Sequence, residues 1–212
     1  MPMDGFLNIL KPPGMSSHDV IGAVRKVLHM KRVGHAGTLD PAAAGVLPIA
    51  VGQAARLIEY LELADKTYRA ELTFGFATDS GDDTGEITEE VADFAMPSQQ
   101  AIEHALLGFT GKIRQTPPAH SAIKIGGKRA CDLLREGKEV EIPSREVTIH
   151  ALDLVAYHPE EKKILLDVQC SKGTYIRSLC LDIGAALGLP ATMSFLVRSR
   201  VGDFALADAL TL

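Results

Sequence analysis

The sequence predicts an α+β fold in which a mixed or antiparallel sheet is flanked by helices. Strand and helix patterns follow one another irregularly along the 212 residues, and a hairpin is predicted near residues 146–170. No Pro/Ser-rich linker or internal repeat divides the chain, so we expect residues 1–212 to form a single domain. The 46% hydrophobic and 23% charged composition excludes a disordered or fibrous protein.

The first third of the chain predicts two strands and two helices. A short apolar strand stops at the Pro-Pro-Gly triplet 12–14, and Ser16 with Asp19 then forms a capping box for a helix that ends near His29. A polar loop with glycines follows, and then come a buried strand and a second helix, at residues 31–41, 46–51 and 54–61.

Strand and helix patterns also follow one another in the remainder of the chain. Period-two hydrophobicity predicts a strand at 68–76, and an acidic loop without Lys or Arg follows at 79–93. A basic segment, 112–145, contains a Gly-Gly turn and a short helix, and we interpret it as an insert that stands off the main sheet. The other expected elements are a helix at 98–107, strands at 146–157 and 162–170, a helix at 174–187, a strand at 193–201 and a helix start at 201–212.

Several protein classes are excluded by simple patterns. No apolar run approaches the ~20 residues of a membrane-spanning helix, and the N-terminus lacks a basic start before an apolar stretch. The three cysteines are far apart and odd in number, which predicts reduced thiols and neither a disulfide framework nor a zinc site. We therefore expect a soluble, cytoplasmic protein that does not associate with membranes.

Charge is distributed unevenly along the chain. The net charge of −5 includes the acidic loop 79–93, whereas Lys and Arg cluster at 25–35 and 112–129. A local basic face attracts phosphates even when the total charge is negative. Charge alone leaves two interpretations open, a solvated surface and a binding surface for a polyanion.

The segment 34–48 carries one acid in a tightly turning loop. Gly34 and Gly37 allow close turns, and Pro41 favours an extended backbone at Asp40. The ordinary interpretation of such an Asp-Pro pair is a turn. No phosphate-binding loop, HExxH or GxSxG pattern is present to suggest nucleotide hydrolysis, zinc proteolysis or a hydrolase nucleophile.

This segment, HAGTLDPAAAGVLP, strongly resembles the signature of the TruB family, the bacterial tRNA pseudouridine-55 synthases. Five further elements follow the order of that family. They are NILKPPGMSS at 8–17, KTYRA at 66–70, TDSGDDTG at 78–85, the stretch from QTPP to SAIK at 115–124, and CSKGTYIRSL at 170–179. The resemblance covers nearly the whole chain and implies a pseudouridine synthase core with an RNA-gripping insert at 112–145.

The resemblance implies isomerisation of one uridine in the TΨC arm of tRNA, by base flipping and an Asp-dependent rearrangement. It assigns catalysis to Asp40, to Tyr68 as an aromatic face, and to Arg177 as the guanidinium that keeps a carboxylate ionised. From the residues alone, Tyr68 fits a core aromatic and Arg177 a surface ion pair equally well. The RNA contacts expected from the resemblance and the basic clusters are His35, Lys11, Tyr175, Lys31, Arg32, Lys124, Lys128 and Arg129.

Neither a metal nor an organic cofactor is implied, and we expect a monomer whose partner is tRNA. The chain departs from the family pattern at His120 and Cys131, where tyrosine is usual. Members of the family generally continue into a C-terminal PUA module that binds RNA, and we predict no such module within these 212 residues.

Two other functions are weighed against the isomerase. One is a catalytically quiet module of the same fold that binds or folds tRNA, although such a module has no use for an acid near phosphates. The other is an Asp-dependent nucleoside or sugar hydrolase, which normally needs a second carboxylate. No second acid accompanies Asp40 in its loop.

Overall fold

The computed structural model describes residues 3–121, 123–136 and 141–212. The chain divides into two compact units, one formed by Met1–Arg69 with Leu196–Leu212 and the other by Ala70–Phe195. The strands are β1 (Gly5–Lys11), β2 (Val33–His35), β3 (Ala44–Val51), β4 (Lys66–Phe74), β5 (Phe76–Thr78), β6 (Ile87–Glu90), β7 (Gly111–Gln115), β8 (Lys124–Ile125), β9 (Lys128–Arg129), β10 (Arg145–His158), β11 (Lys163–Cys170), β12 (Ala191–Val201) and β13 (Phe204–Ala205). The α-helices are α1 (Ser17–Leu28), α2 (Ile58–Glu62), α3 (Gln99–Leu107), α4 (Ala130–Arg135) and α5 (Ile176–Ala186).

The first unit contains strands of both orientations. β1 and β2 each run antiparallel to β3, whereas β12 runs parallel to β3 and pairs with it at Val197–Ala44 and Arg198–Gly45. One face of these strands carries a continuous apolar cluster with α1, made of Ile9, Val20, Ile21, Val24, Val33, Leu47, Ile49 and Val51. Burial of each such side chain stabilises the fold by about 1.5–3 kcal/mol, so α1 is held by its apolar stripe.

The first helix begins as the sequence predicts. Ser16 Oγ accepts a hydrogen bond from the Asp19 amide at 3.2 Å, and the Ser16 amide donates to Asp19 Oδ2 at 2.8 Å. His29 ends α1 in the left-handed conformation, with φ of 51°. The capping box, worth about 1 kcal/mol, fixes where the chain leaves the segment 12–16 and enters the helix.

In the second unit the strand order is β4-β11-β10-β7. β10 and β11 form the predicted hairpin, and β10 also pairs antiparallel with β7 from Arg145–Gln115 to Ile149–Gly111. The basic segment 112–145 is therefore anchored in the sheet at both ends, and the prediction that all of it stands off the sheet is wrong. Within it, β8 and β9 form the hairpin expected around Gly126 and Gly127.

Other differences from the sequence predictions have local causes. The predicted loop 31–41 contains the short strand β2, which is defined by its pairing with β3 rather than by its own apolar pattern. The strand predicted at 68–76 is interrupted at Gly75, where φ is 107° and a Cβ would lie 2.8 Å from the Phe94 ring. The helix predicted at 54–61 is a 3-10 turn followed by α2, and residues 201–212 form β13 and a 3-10 turn.

Within the described ranges, every helix is too short or too polar to cross a membrane.

Candidate active site

Asp40 lies on the loop that joins β2 to β3, and its side chain is half-buried. Gly37 makes the first turn of the loop with φ of 84°, a conformation that glycine adopts without strain. Leu39 points inward, with 3% of its surface exposed, and anchors the loop in the first unit. Ser17, at the start of α1, holds the Leu39 backbone from both sides, since its hydroxyl donates to Leu39 O at 3.1 Å and accepts from Leu39 N at 2.9 Å.

Lys11 occupies a different position from the one expected. Its side chain is fully buried, and its ammonium group donates to the carbonyls of Pro12, Met15 and Pro41 at 3.0, 2.7 and 3.2 Å. Burial lowers the pKa of Lys11, while the negative charge of Asp40 acts in the opposite direction. Three carbonyls satisfy the three N–H groups of an ammonium. We therefore correct the expected phosphate contact of Lys11 to a structural role beneath the Asp40 loop.

His35 ends β2 and is half-buried. Burial lowers the pKa of its imidazole, and the positive charges of Arg198 and His18 add to this effect. Its Nδ1 atom is buried without a hydrogen-bond partner among the described residues. The ring is therefore neutral at pH 7.

The lowered pKa of His35 makes stability depend on pH in a defined direction. The unfolded chain takes up this proton near the ordinary value of 6.5, but the folded protein does so only at lower pH. The free energy of unfolding should therefore decrease as pH falls below 6.5. Urea unfolding of His35→Gln between pH 5.0 and 7.5 should show a smaller decrease than the wild type, whereas the exposed control His104→Gln should match the wild type. Equal decreases in His35→Gln and wild type would contradict the burial of a neutral imidazole.

Tyr68 lies in β4 with 9% of its surface exposed, between Lys66 and Ala70, which face the same side of the strand. This position agrees with both interpretations from the sequence, a core aromatic and the wall of a pocket. Lys31 and Arg32 are exposed as expected of phosphate contacts, although Arg32 also donates to Gln53 Oε1 at 2.9 Å.

The expected contacts on the insert fall on Lys124, Lys128 and Arg129. The structure describes only the backbone of these three residues, which form the β8–β9 hairpin. Their side chains lie outside the described part of the molecule, so their RNA contacts stay predictions.

Arg177 lies in the first turn of α5, in the second unit, with 6% of its surface exposed. Its Nη1 donates to the Ser80 carbonyl at 2.8 Å and its Nη2 to the His120 carbonyl at 3.1 Å, while Nε lies 3.7 Å from Asp82 Oδ2. A planar guanidinium can donate to two carbonyls and lie beside a carboxylate at the same time. Arg177 is therefore a buried, fixed group, and the alternative of a surface ion pair is wrong.

Asp82 is a partner of Arg177 that the sequence analysis did not single out. Burial acts to raise the pKa of Asp82, but hydrogen bonds from Thr84 and Ser80 and the charge of Arg177 outweigh it, so the pKa lies below its usual range. The hydroxyls of Ser80 and Thr84 donate to Oδ1 at 2.7 and 2.6 Å. An ionised carboxylate is therefore held beside Arg177, and its signal in the sequence is the TDSGDDTG loop.

His120 joins the insert to the acidic loop. Its Nε2 lies 3.2 Å from Asp79 Oδ2, and its carbonyl accepts the bond from Arg177 already described. A His–Asp contact thus lies next to the Arg177 network.

Tyr175 precedes α5 and is fixed through its backbone. The buried amide of Gln115 donates to Tyr175 O at 3.0 Å and accepts from Tyr175 N at 2.7 Å. The Arg145 guanidinium lies 5.1 Å from the centre of the Tyr175 ring and donates to the Gly173 carbonyl. The half-buried ring is therefore oriented by its neighbours, and Gln115 is a second residue that sequence reasoning missed.

Comparisons with known proteins agree with this interpretation of the motifs. The family model described as TruB family pseudouridylate synthase (N terminal domain) matches residues 25–176. The chain is 53% identical over its whole length to the tRNA pseudouridine synthase B of Heliobacterium mobile, of which it covers 68%. It is 52% identical over 99% of its length to the protein of that name from Symbiobacterium thermophilum, of which it covers 70%.

A solved structure supports the fold assignment. A chain of a Cbf5-Nop10-Gar1 complex matches 98% of this chain with a TM-score of 0.76 and 32% sequence identity. This chain spans about half of that protein, 52% of its length. The predicted α+β pseudouridine synthase fold is thereby confirmed, and the chain belongs to the TruB family of pseudouridylate synthases, which are isomerases.

Proposed function

We propose that this protein converts a uridine of tRNA, uridine 55 in the TΨC arm, into pseudouridine. The observation that carries the proposal is the half-buried carboxylate of Asp40 in the family signature, on a loop whose backbone is held by Lys11 and Ser17. The relatives named tRNA pseudouridine synthase B, 53% and 52% identical to this chain, support tRNA as the substrate.

The proposed reaction rearranges bonds within one nucleotide. The bond between N1 of uracil and C1′ of the ribose breaks, the base turns, and a bond between C5 and C1′ forms. The C5 proton is lost to water and N1 gains a proton, so neither an oxidant nor a hydrolytic water is consumed. In this scheme the Asp40 carboxylate acts covalently on the nucleotide, which requires that it be ionised.

Two other side chains complete the proposed chemistry. Tyr68 supplies an aromatic face for the uracil and a hydroxyl that can relay a proton. Arg177 supplies a fixed positive charge, which stabilises a carboxylate and the negative charge that develops during the rearrangement. The network of Ser80, Asp82 and His120 around Arg177 supports this role, because it fixes the guanidinium in one orientation.

Access to the uridine requires that it leave its stack. Extrusion of a nucleotide costs about a few kcal/mol, which the protein must offset with new contacts. His35 is suited to fill the vacated space, because its neutral ring can pack against neighbouring bases without the cost of burying a charge. We propose that Tyr175, Lys31 and Arg32 contact the RNA as well.

We further propose that residues 1–212 act as one catalytic domain, as a monomer in the cytoplasm, with 112–145 as the RNA-gripping insert. The basic residues of the insert and of the 25–35 cluster would supply most of the affinity, since the net charge of the whole chain is −5. Association with RNA releases counterions in proportion to the phosphates neutralised.

The insert is tested by removing its charge. Replacing Lys124, Lys128 and Arg129 together with alanine should raise Kd for tRNA and flatten the plot of log Kd against log salt concentration. The slope should decrease by about 0.7–0.9 for each phosphate that the protein no longer neutralises. The kcat at saturating tRNA should be nearly unchanged, because such interactions stabilise ground and transition states alike.

A matched control removes the same charge elsewhere. Arg56, Lys162 and Arg200 lie outside both basic clusters, and their combined replacement with alanine should leave the slope as in the wild type. Wild-type Kd and slope in the insert variant would show that the insert does not touch RNA.

The target position is tested with two transcripts of one tRNA, one with uridine and one with cytidine at position 55. The purified protein should form one pseudouridine per molecule in the first transcript and none in the second. Pseudouridine at another position would overturn the assignment of uridine 55. Binding of both transcripts without any pseudouridine would instead favour the catalytically quiet RNA-binding module.

A further inference from the structure

Arg198 is a buried arginine that the proposed reaction does not use. It lies in β12 with 1% of its surface exposed, and it is among the largest fully buried side chains of the protein. Its guanidinium donates to three backbone carbonyls, from Nε to Val46 at 2.8 Å, from Nη1 to Thr38 at 3.3 Å and from Nη2 to Gly37 at 3.1 Å. Burial of a charged group is costly unless the group is fully hydrogen-bonded, so this arrangement requires a specific fit.

The three carbonyls lie on both sides of Asp40 along the chain. Gly37 and Thr38 precede Asp40 in the loop, whereas Val46 follows it in the buried part of β3. The planar fork of Arg198 therefore links the first half of the loop that presents the carboxylate to the strand β3 that follows this loop. An ammonium group on a single flexible stem has no such fork.

The backbone of β12 also approaches β3 closely at this position. Arg198 is the register partner of Gly45 in the parallel pairing of β12 with β3. A Cβ at Gly45 would lie 2.2 Å from the Arg198 carbonyl oxygen and 2.6 Å from its nitrogen. Only a glycine allows this approach, which brings the Arg198 side chain within reach of Gly37 and Thr38.

Every carbonyl from residue 37 to residue 41 accepts a hydrogen bond. Arg198 binds the first two, and the Ser17 hydroxyl binds Leu39 O. The Ala43 amide donates to Asp40 O at 3.1 Å, and Lys11 and the Gly14 amide donate to Pro41 O. The backbone on both sides of the Asp40 side chain is thus fixed at successive residues, with Arg198 and Ser17 holding the three that precede it.

We propose that Arg198 and Ser17 are positioning residues for the isomerisation, which place the Asp40 carboxylate by fixing the backbone of residues 37–39. The inference rests on the proposed role of Asp40. A catalytic group must be held within about 0.5 Å of its productive position, and a displacement of about 1 Å costs about 100-fold in rate. Because Arg198 and Ser17 are buried, their replacement acts on the chemical step and not on contact with RNA.

The test compares graded variants at the two positions. Arg198→Lys should lower kcat at least about 10-fold and Arg198→Met at least about 100-fold, with KM and the Kd for tRNA within about 3-fold of the wild type. Lysine should thus restore part of the activity that methionine removes. Ser17→Ala should lower kcat about 5-fold or more, by loosening the same loop at Leu39.

Two controls separate positioning from general stability. Arg200, on the same strand, is exposed and donates to Gly202 O, so Arg200→Met should keep the wild-type kcat. Ser98 caps α3, so Ser98→Ala should lower the melting temperature like Ser17→Ala without lowering kcat. All rates are measured well below each melting temperature, and amide hydrogen exchange at residues 36–40 should be faster in the Arg198 and Ser17 variants only.

The outcomes distinguish this inference from the proposed function. An unchanged kcat in Arg198→Lys and Ser17→Ala overturns the inference, as does a lower affinity for tRNA that accounts for the whole decrease in activity. If the Arg198 variants do not fold, Ser17→Ala decides between a positioning and a purely structural loop. Asp40→Asn is assayed beside them: if it stays active, the proposed function fails, whatever the Arg198 variants do.

Discussion

Replacement of Asp40 by asparagine should abolish pseudouridine formation and leave the affinity for tRNA unchanged. An amide is neither charged nor nucleophilic, so the covalent step is deprived of its reacting group, and we expect kcat to fall at least about 10⁴-fold. The fold should be preserved, because asparagine keeps the size of the aspartate side chain and the loop backbone keeps its hydrogen bonds to Lys11, Ser17 and Arg198.

The experiment measures pseudouridine per tRNA over time together with the Kd by filter binding. Asp40→Ala should be as inactive as Asp40→Asn. Measurable turnover of Asp40→Ala at even about a hundredth of the wild-type rate would show that the carboxylate does no covalent work. Failure of Asp40→Asn to bind tRNA would instead show that the change damages the loop.

Arg177→Lys should also be severely impaired, although it keeps the charge. The guanidinium donates hydrogen bonds to Ser80 O and His120 O and forms an ion pair with Asp82. A lysine ammonium at the end of a flexible stem cannot reach all three groups. We expect kcat to fall at least about 100-fold, since carbonyls and a carboxylate are left unpaired in a buried place and the positive charge is displaced. The control Arg56→Lys, at an exposed position, should behave as the wild type.

Asp82→Asn provides a second measurement on the same network. It removes the negative charge beside Arg177 while keeping the size of the side chain. We therefore expect Asp82→Asn to lower kcat, as Arg177→Lys does. Near-normal turnover of Arg177→Lys, with the melting temperature of the wild type, would show that the planar fork is not needed and that the role given to Arg177 is wrong.

The sequence predicts the elements whose stability is local. The capping box of Ser16 and Asp19, the hairpin of β10 and β11 and the alternation in β4 all depend on neighbouring residues. β2 could not be predicted, because a three-residue strand exists only through its partner β3. The anchoring of the insert by β7 and β10 is equally a property of pairing over a long sequence separation.

The same distinction between local patterns and contacts made by the fold applies to the candidate site. Asp40 could be singled out from its motif, but Lys11 was expected at the surface, since a pattern does not show how many carbonyls will surround an ammonium. Arg198, Ser17 and Gln115 act through backbone groups that only the fold brings near them. One signal was available: Arg198 shares the inward side of β12 with Leu196, and a charged residue at an inward strand position needs an explanation.

The proposed isomerisation is tested most directly by the fate of the hydrogen at C5 of the target uridine. The protein is incubated with tRNA labelled with tritium at C5 of uridine, and both tritiated water and free uracil are measured. A pseudouridine synthase must form a carbon–carbon bond at C5, so we predict release of one equivalent of tritium per tRNA as water, with no free uracil and with no release by Asp40→Asn. Free uracil that retains its tritium would identify a hydrolase, and tRNA that is bound but keeps all its tritium would show that the protein is not a pseudouridine synthase.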